Sequence, residues 1–227
     1  MKNGIHRSIV FVAVLLLAAI ACNAQDSTKY KTTYYGQKVS QFRLIKDVET
    51  GEIIFLGDSI TDIAEWADLL KNSKVKNRGI SGDNTFGVLA RLDEVTGRKP
   101  AKVFIMIGIN DIADNTADSI IVANYRNIIQ RLRKESPATK IYIQSILPTN
   151  DGFTEFKRHQ GKDGHIRFVN DGLKKIGAEY GCLYIDLYSQ LQNNEGKLDT
   201  KFTNDGLHLT GEGYAAWINL LHTKKLL

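Results

Sequence analysis

Four separated stretches of this chain carry side chains that together could move an acyl group. Near the C-terminus stands Asp205-Gly206-Leu207-His208, and far upstream Gly57-Asp58-Ser59-Ile60. Between them lie Gly82-Asp83 and Gly108-Ile109-Asn110-Asp111. Ser59 offers a hydroxyl nucleophile, His208 an imidazole base, and Asp205, three residues before it, a carboxylate that can orient the ring. Gly82 lets backbone come close to a substrate and aim an N–H at an oxyanion, and the Asn110 amide can donate a second hydrogen bond.

Each residue has a plainer reading when taken alone. Ser59 could be a helix N-cap, Gly82 and Asn110 turn residues, and the Asp-x-x-His pair a surface turn or part of a metal site. No Cys or His cluster accompanies that pair, and His159 and His165 fall in a polar stretch where solvation is expected. Asp58, Asp83 and Asp111 read as turn and loop organisers. A Gly-x-Ser-x-Gly elbow is absent, because Ile60-Thr61 follows Ser59. What favours chemistry is the combination and its order.

The elements needed to bring these stretches together are legible in the hydropathy pattern. Ile53–Leu56, Val103–Ile107, Ile141–Ser145 and Leu183–Asp186 read as buried strands, with Lys74–Asn77 as a weaker fifth at an edge. Ile121, Tyr125, Ile128 and Leu132 recur at helical spacing within Ala117–Ser136, and Pro137 stops that helix. Ile63, Trp66, Leu69 and Leu70 predict another after the first strand, and Phe168, Leu173, Ile176 and Tyr180 one before Gly181. Thr210 is placed to cap a last helix bearing Tyr214, Trp217, Ile218 and Leu221. Trp66 and Trp217 lie on these apolar stripes and are expected in the core rather than as sugar platforms.

Alternating strands and helices imply an α/β fold, about five parallel strands with helices on both faces. Such sheets hold ligands at the C-terminal ends of their strands, where all four stretches fall. The longest expected loop, Thr149–Asp163, would border that pocket.

Composition sets the remaining bounds. The chain has 227 residues, enough for one substantial core, and residues 25–227 are expected to form a single domain. Residues 1–24 read as a signal peptide: Lys2 and Arg7 precede an apolar run, Ser8–Ala21, that is short for a membrane span, and small residues follow. Cleavage after Ala24 would release a protein starting at Gln25; Ala19-Ile20-Ala21-Cys22 loosely matches a lipoprotein box, which would leave Cys22 lipidated. Either product is exported, to the periplasm or the medium. Loss of the leader removes two of 30 Lys and Arg and none of 25 Asp and Glu, so the formal charge falls from +5 to +3. So mild an excess does not point to nucleic acid. Cys182 alone cannot form an internal disulfide.

Taken together, Gly57-Asp58-Ser59-Ile60-Thr61, Asn77-Arg78-Gly79-Ile80-Ser81-Gly82-Asp83, Gly108-Ile109-Asn110-Asp111 and Asp205-Gly206-Leu207-His208 resemble the four blocks of the SGNH hydrolases, or GDSL esterases and lipases. All four stand in order between about Ile53 and Gly211. Ile60 takes the place of the usual leucine, a conservative change. The resemblance implies a flavodoxin-like three-layer sandwich, with Ser59 as nucleophile, His208 as base and Asp205 as its partner. Gly82 N–H, the Asn110 side chain and Ser59 N–H would form the oxyanion hole, and no cofactor or metal is required. Within the family, Ile54–Thr61 and Asn77–Gly82 look most like exported bacterial sialate O-acetylesterase-like enzymes, and more distantly the platelet-activating-factor acetylhydrolase type. That implies a short acyl group on a small-molecule or glycan alcohol. A lipid acylhydrolase or thioesterase, and a silent binding module, are the alternatives.

Overall fold

A computed structural model of the protein describes residues 28–46 and 48–227. The expected leader and Cys22 lie outside them. Five parallel strands form one sheet: β1 (Ile53–Gly57), β2 (Val75–Gly79), β3 (Lys102–Met106), β4 (Lys140–Gln144) and β5 (Leu183–Ile185). Their order is β2-β1-β3-β4-β5. This is the flavodoxin-like order, and the weak Lys-rich strand takes an edge as the sequence predicts.

Eleven helical segments accompany the sheet among the described residues. They are α1 (Thr33–Leu44), α2 (Ser59–Asp62), α3 (Trp66–Leu69), α4 (Thr85–Ala90), α5 (Leu92–Thr96), α6 (Ile109–Ala113), α7 (Asp118–Glu135), α8 (Asp163–Tyr180), α9 (Tyr188–Leu191) and α10 (Gly211–Thr223), with a 3-10 turn at Lys157–His159. The Ile121/Tyr125/Ile128/Leu132 stripe of α7 is wholly buried, and α7 packs beside α8. Thr210 occupies the N-cap position of α10, but its hydroxyl makes no capping bond and instead reaches the Lys201 carbonyl at 3.4 Å.

One sheet face is aromatic. Phe55 stacks on Trp66 at 3.9 Å and on Phe104 at 4.9 Å, and Phe104 stacks on Tyr142 at 4.5 Å. Trp217 of α10 meets Trp66 edge-on at 4.9 Å. Each such pair contributes about 0.5–1.5 kcal/mol beyond area burial. Both indole N–H groups are satisfied, Trp66 by the Thr61 carbonyl and Trp217 by Gln144, so both tryptophans belong to the core.

The helix expected from Ile63, Trp66, Leu69 and Leu70 differs. Two short segments, α2 and α3, replace it, and Ile63 and Leu69 are exposed while Trp66 is buried. Asn77 breaks the run, because its side-chain amide donates to the Asp62 and Ala64 carbonyls at 2.9 Å and so holds the segment in a turn. Phe168 of α8 also points outward, leaving Ile166, Val169, Leu173 and Ile176 as the buried stripe.

Three buried carboxylates fasten the loops above the strands. Asp83 pairs with the fully buried Arg91 at 2.8 Å; burial raises its carboxyl and the guanidinium opposes that rise. Asp111 accepts the Thr85 N–H at 3.0 Å and its hydroxyl at 2.5 Å. Asp58 accepts the Ile60 N–H at 3.0 Å and is the N-cap of α2. The three are loop organisers, as their types suggest. Burial drives Asp58 and Asp111 each up to about 7, against the opposing pull of those donors.

A carboxyl that titrates near 3.8 unfolded and about 7 folded binds its proton more tightly in the native state. Its contribution to stability is complete below the unfolded value and is lost as pH rises through the folded one. Asp58→Asn keeps the N-cap acceptor and removes that titration. Urea unfolding at pH 5 and pH 8 should therefore show wild type declining more steeply than Asp58→Asn, by on the order of 1 kcal/mol or more. Equal declines would refute the assignment.

Candidate active site

The turn that presents Ser59 is dictated by a close approach. A Cβ at Gly57 would lie 2.2 Å from Thr61 Oγ1 and 2.3 Å from the Met106 carbonyl, so only glycine fits where β1 turns into α2. With Asp58 as N-cap, Ser59 is the first helical residue rather than the cap. Its N–H consequently has no partner within the helix.

His208 reaches Ser59 across 149 residues of sequence, its Nε2 lying 2.9 Å from Ser59 Oγ. Its Nδ1 lies 2.7 Å from Asp205 Oδ2. The Asp205-Gly206-Leu207-His208 turn is self-supporting, since Asp205 Oδ1 accepts the amides of Leu207 at 2.8 Å and His208 at 2.7 Å. Burial alone would raise the Asp205 carboxyl; those amides and the imidazole outweigh it and hold the carboxyl below its ordinary range. An ionised carboxylate only accepts, so His208 donates from Nδ1, and in the neutral ring Nε2 is then the acceptor that faces the Ser59 hydroxyl.

Gly82 sits just beyond β2, with φ of +81° and no heavy atom within 4 Å of where a Cβ would stand. The backbone there is open to a ligand. Asp62 anchors the preceding residue, its Oδ2 accepting the Ser81 N–H at 3.1 Å and hydroxyl at 2.9 Å. Tyr34 and Lys38 of α1 bind the same carboxylate, each at 2.8 Å. Burial raises Asp62, but Lys38, Tyr34 and Ser81 together bring it below its usual range. The Ser59 helix α2, the glycine loop and α1 thus share one anion.

Asn110, in the first turn of α6, is buried and donates from Nδ2 to the Asp83 carbonyl at 2.9 Å. The structure therefore joins Ser59, His208 and Asp205 in one hydrogen-bonded chain, and joins Asn110 to the Gly82–Asp83 loop. Phe156 overhangs the rim with its exposed ring edge-on to His208 at 4.7 Å.

The expectation of solvated histidines needs correction. His165 is exposed but lies on α8, its Nδ1 3.0 Å from the Asp118 carboxylate. His159 is buried, with Nε2 3.1 Å from Asn110 Oδ1, because the 3-10 turn folds this part of the Thr149–Asp163 loop inward over α6. Sequence reasoning also passed over Asp62 and Arg91. Asp62 stands one helical turn after Ser59, a spacing that places both on one side of α2; nothing local marks Arg91 or His159, whose partners are distant.

Comparisons with known proteins agree with this architecture. Residues 55–216 match the GDSL-like Lipase/Acylhydrolase family. Platelet-activating factor acetylhydrolase IB subunit alpha2 of Rattus norvegicus is 28% identical over 183 residues, covering 78% of this chain and 76% of that protein. A solved structure from Streptococcus pneumonia, described as a platelet activating factor, superposes with a TM-score of 0.78 at 28% identity, covering 92% of this chain and 99% of its own. An acetylxylan esterase from Geobacillus stearothermophilus shares the fold at a TM-score of 0.60 and 20% identity, covering 79% of this chain and 96% of its own. The chain is an ester hydrolase and belongs to the GDSL-like lipase/acylhydrolase family.

Proposed function

We propose that the protein hydrolyses short acyl esters, chiefly acetyl esters of carbohydrate alcohols, with Ser59, His208 and Asp205 as a catalytic triad. The observation that carries this reading is the unbroken path from Asp205 Oδ2 through the imidazole to Ser59 Oγ, with contacts of 2.7 and 2.9 Å. As Ser59 attacks the ester carbonyl carbon, His208 Nε2 takes the hydroxyl proton and the Asp205 carboxylate steadies the resulting imidazolium. The carbonyl oxygen becomes an oxyanion held by the amides of Ser59 and Gly82 and by Asn110 Nδ2. His208 returns the proton to the departing alkoxide, leaving an acyl-Ser59 ester. Water then attacks that ester by the same proton path, releasing the acid and restoring the serine.

One feature supports a small acyl group. The named activities of the acetylhydrolase relative and the acetylxylan esterase neighbour differ in alcohol but share an acetyl group. Phe156 stands exposed beside His208, its ring edge-on to the imidazole at 4.7 Å, an apolar surface at the site. The lipid reading draws on the same acetylhydrolase relatives and on the apolar character of Phe156. Export belongs to the proposal through the charged and apolar pattern of residues 1–24. Among the described residues no helix is long and apolar enough to cross a membrane.

A hydrolysis panel tests the substrate class. Acetyl esters and acetylated xylo-oligosaccharides should exceed octanoyl esters in kcat/KM by about 10-fold or more, the scale by which enzymes discriminate substrates differing by methylenes. A preference for octanoyl esters would favour the lipid reading. Mass analysis of the mature N-terminus should find Gln25 free or Cys22 lipidated; a retained Met1 in the folded, secreted protein would contradict export by cleavage.

A further inference from the structure

The environment of Asn110 allows only one orientation of its amide. The Asp83 carbonyl can only accept, so the group 2.9 Å from it must be the NH2 end. The opposite end, Oδ1, then faces two side-chain groups. His159 Nε2 lies 3.1 Å away, and Arg158, which can only donate, lies 3.4 Å away. Because Oδ1 only accepts, His159 must carry its proton on Nε2. A half-turn of the amide would set oxygen against the Asp83 carbonyl and NH2 against the Arg158 and His159 donors.

His159 is well suited to hold that orientation. The residue is 2% exposed, and its backbone is fixed by the Phe156 carbonyl at 2.8 Å and the Thr149 hydroxyl at 3.2 Å. Its Nδ1 is buried with no hydrogen-bond partner, a position a bare nitrogen tolerates more readily than an N–H. Burial first, and the neighbouring Arg158 charge second, push the imidazole down to about 4, so it is a neutral donor at physiological pH. The same 3-10 turn carries Phe156, whose ring touches both His159 and His208.

We propose that His159 is a positioning residue for catalysis: its Nε2–H fixes the sense of the Asn110 amide so that one Nδ2 hydrogen binds Asp83 and the other is presented to the oxyanion. This rests on the reading of Asn110 as an oxyanion donor. A lost donor in such a hole lowers kcat by about 100- to 1,000-fold, and a donor free to turn away should lose part of that.

The test is a double-mutant cycle on a short acetyl ester. Asn110→Ala should lower kcat by about 100-fold. His159→Phe, which keeps a planar aromatic ring and removes both nitrogens, should lower kcat by about 10-fold or more with KM changed less than about 3-fold, a fraction of the full donor loss. His159→Gln, which restores an N–H, should recover most of the rate, and His159→Phe should cost less than about 2-fold when Asn110 is already alanine. An unchanged kcat in His159→Phe, or losses that multiply in the double variant, would overturn the inference while leaving the oxyanion role intact. A full rate in Asn110→Ala would overturn the oxyanion role itself. Wild-type protein with 15N-labelled histidine gives a readout independent of variant folding: His159 should show the neutral Nε2–H tautomer at pH 7, and an Nδ1–H tautomer or a charged ring would refute the assignment.

Discussion

The site hangs on one buried ion pair. Arg91 has no exposed side-chain surface; it donates to Asp83 Oδ2 at 2.8 Å and to the carbonyls of Gly57 at 3.2 Å and Arg78 at 3.0 Å. One guanidinium thus ties the end of β1, the end of β2 and the loop beyond Gly82. Asp83 in turn gives its backbone carbonyl to Asn110, so the positions of Ser59, Gly82 and Asn110 are coupled through a single residue pair. Breaking a buried ion pair is costly, on the order of 3–5 kcal/mol, although Glu94 lies 3.9 Å from Arg91 and shares its charge. The packing leaves little slack, because a Cβ at Gly87 would meet Asp83 Oδ1 at 1.9 Å.

Against this rigid base, the two parts of the proposed relay are secured differently. Asp62 gathers Ser81, Tyr34 and Lys38 on one carboxylate and fixes the Ser59 helix from α1. His208 is held by a local turn whose amides converge on Asp205, so the imidazole is already oriented toward Ser59. Preorganisation of this kind lets charge develop during acyl transfer without a further cost in reordering the surroundings. The Phe156–His159 turn closes over both, touching His208 on one side and Asn110 on the other.

Much of this was legible in the sequence because its causes are local or periodic. Buried parallel strands are continuous apolar runs, and the α7 stripe repeats with helical period, so the strands and the weak edge strand emerged from hydropathy, while the flavodoxin-like order came from the family resemblance. Ser59, His208 and Asp205, which the structure joins in one hydrogen-bonded chain, were singled out by residue type, order and resemblance. What escaped notice depends on distant partners. Ile63 and Leu69 fit a helical stripe, but an asparagine on the edge strand captures the intervening carbonyls and breaks it. His159 sits in a polar segment, and its burial follows from a hydroxyl and an amide oxygen supplied 10 and 49 residues away. No pattern in the neighbouring residues encodes those contacts.

The central claim is that Ser59 is the nucleophile activated by His208. Treatment with a fluorophosphonate followed by peptide mass analysis tests it most directly. A single phosphonyl adduct on Ser59, formed in step with loss of esterase activity and absent from both Ser59→Ala and His208→Ala, is the expected result. An adduct on another residue, or full inactivation with Ser59 unmodified, would contradict the account.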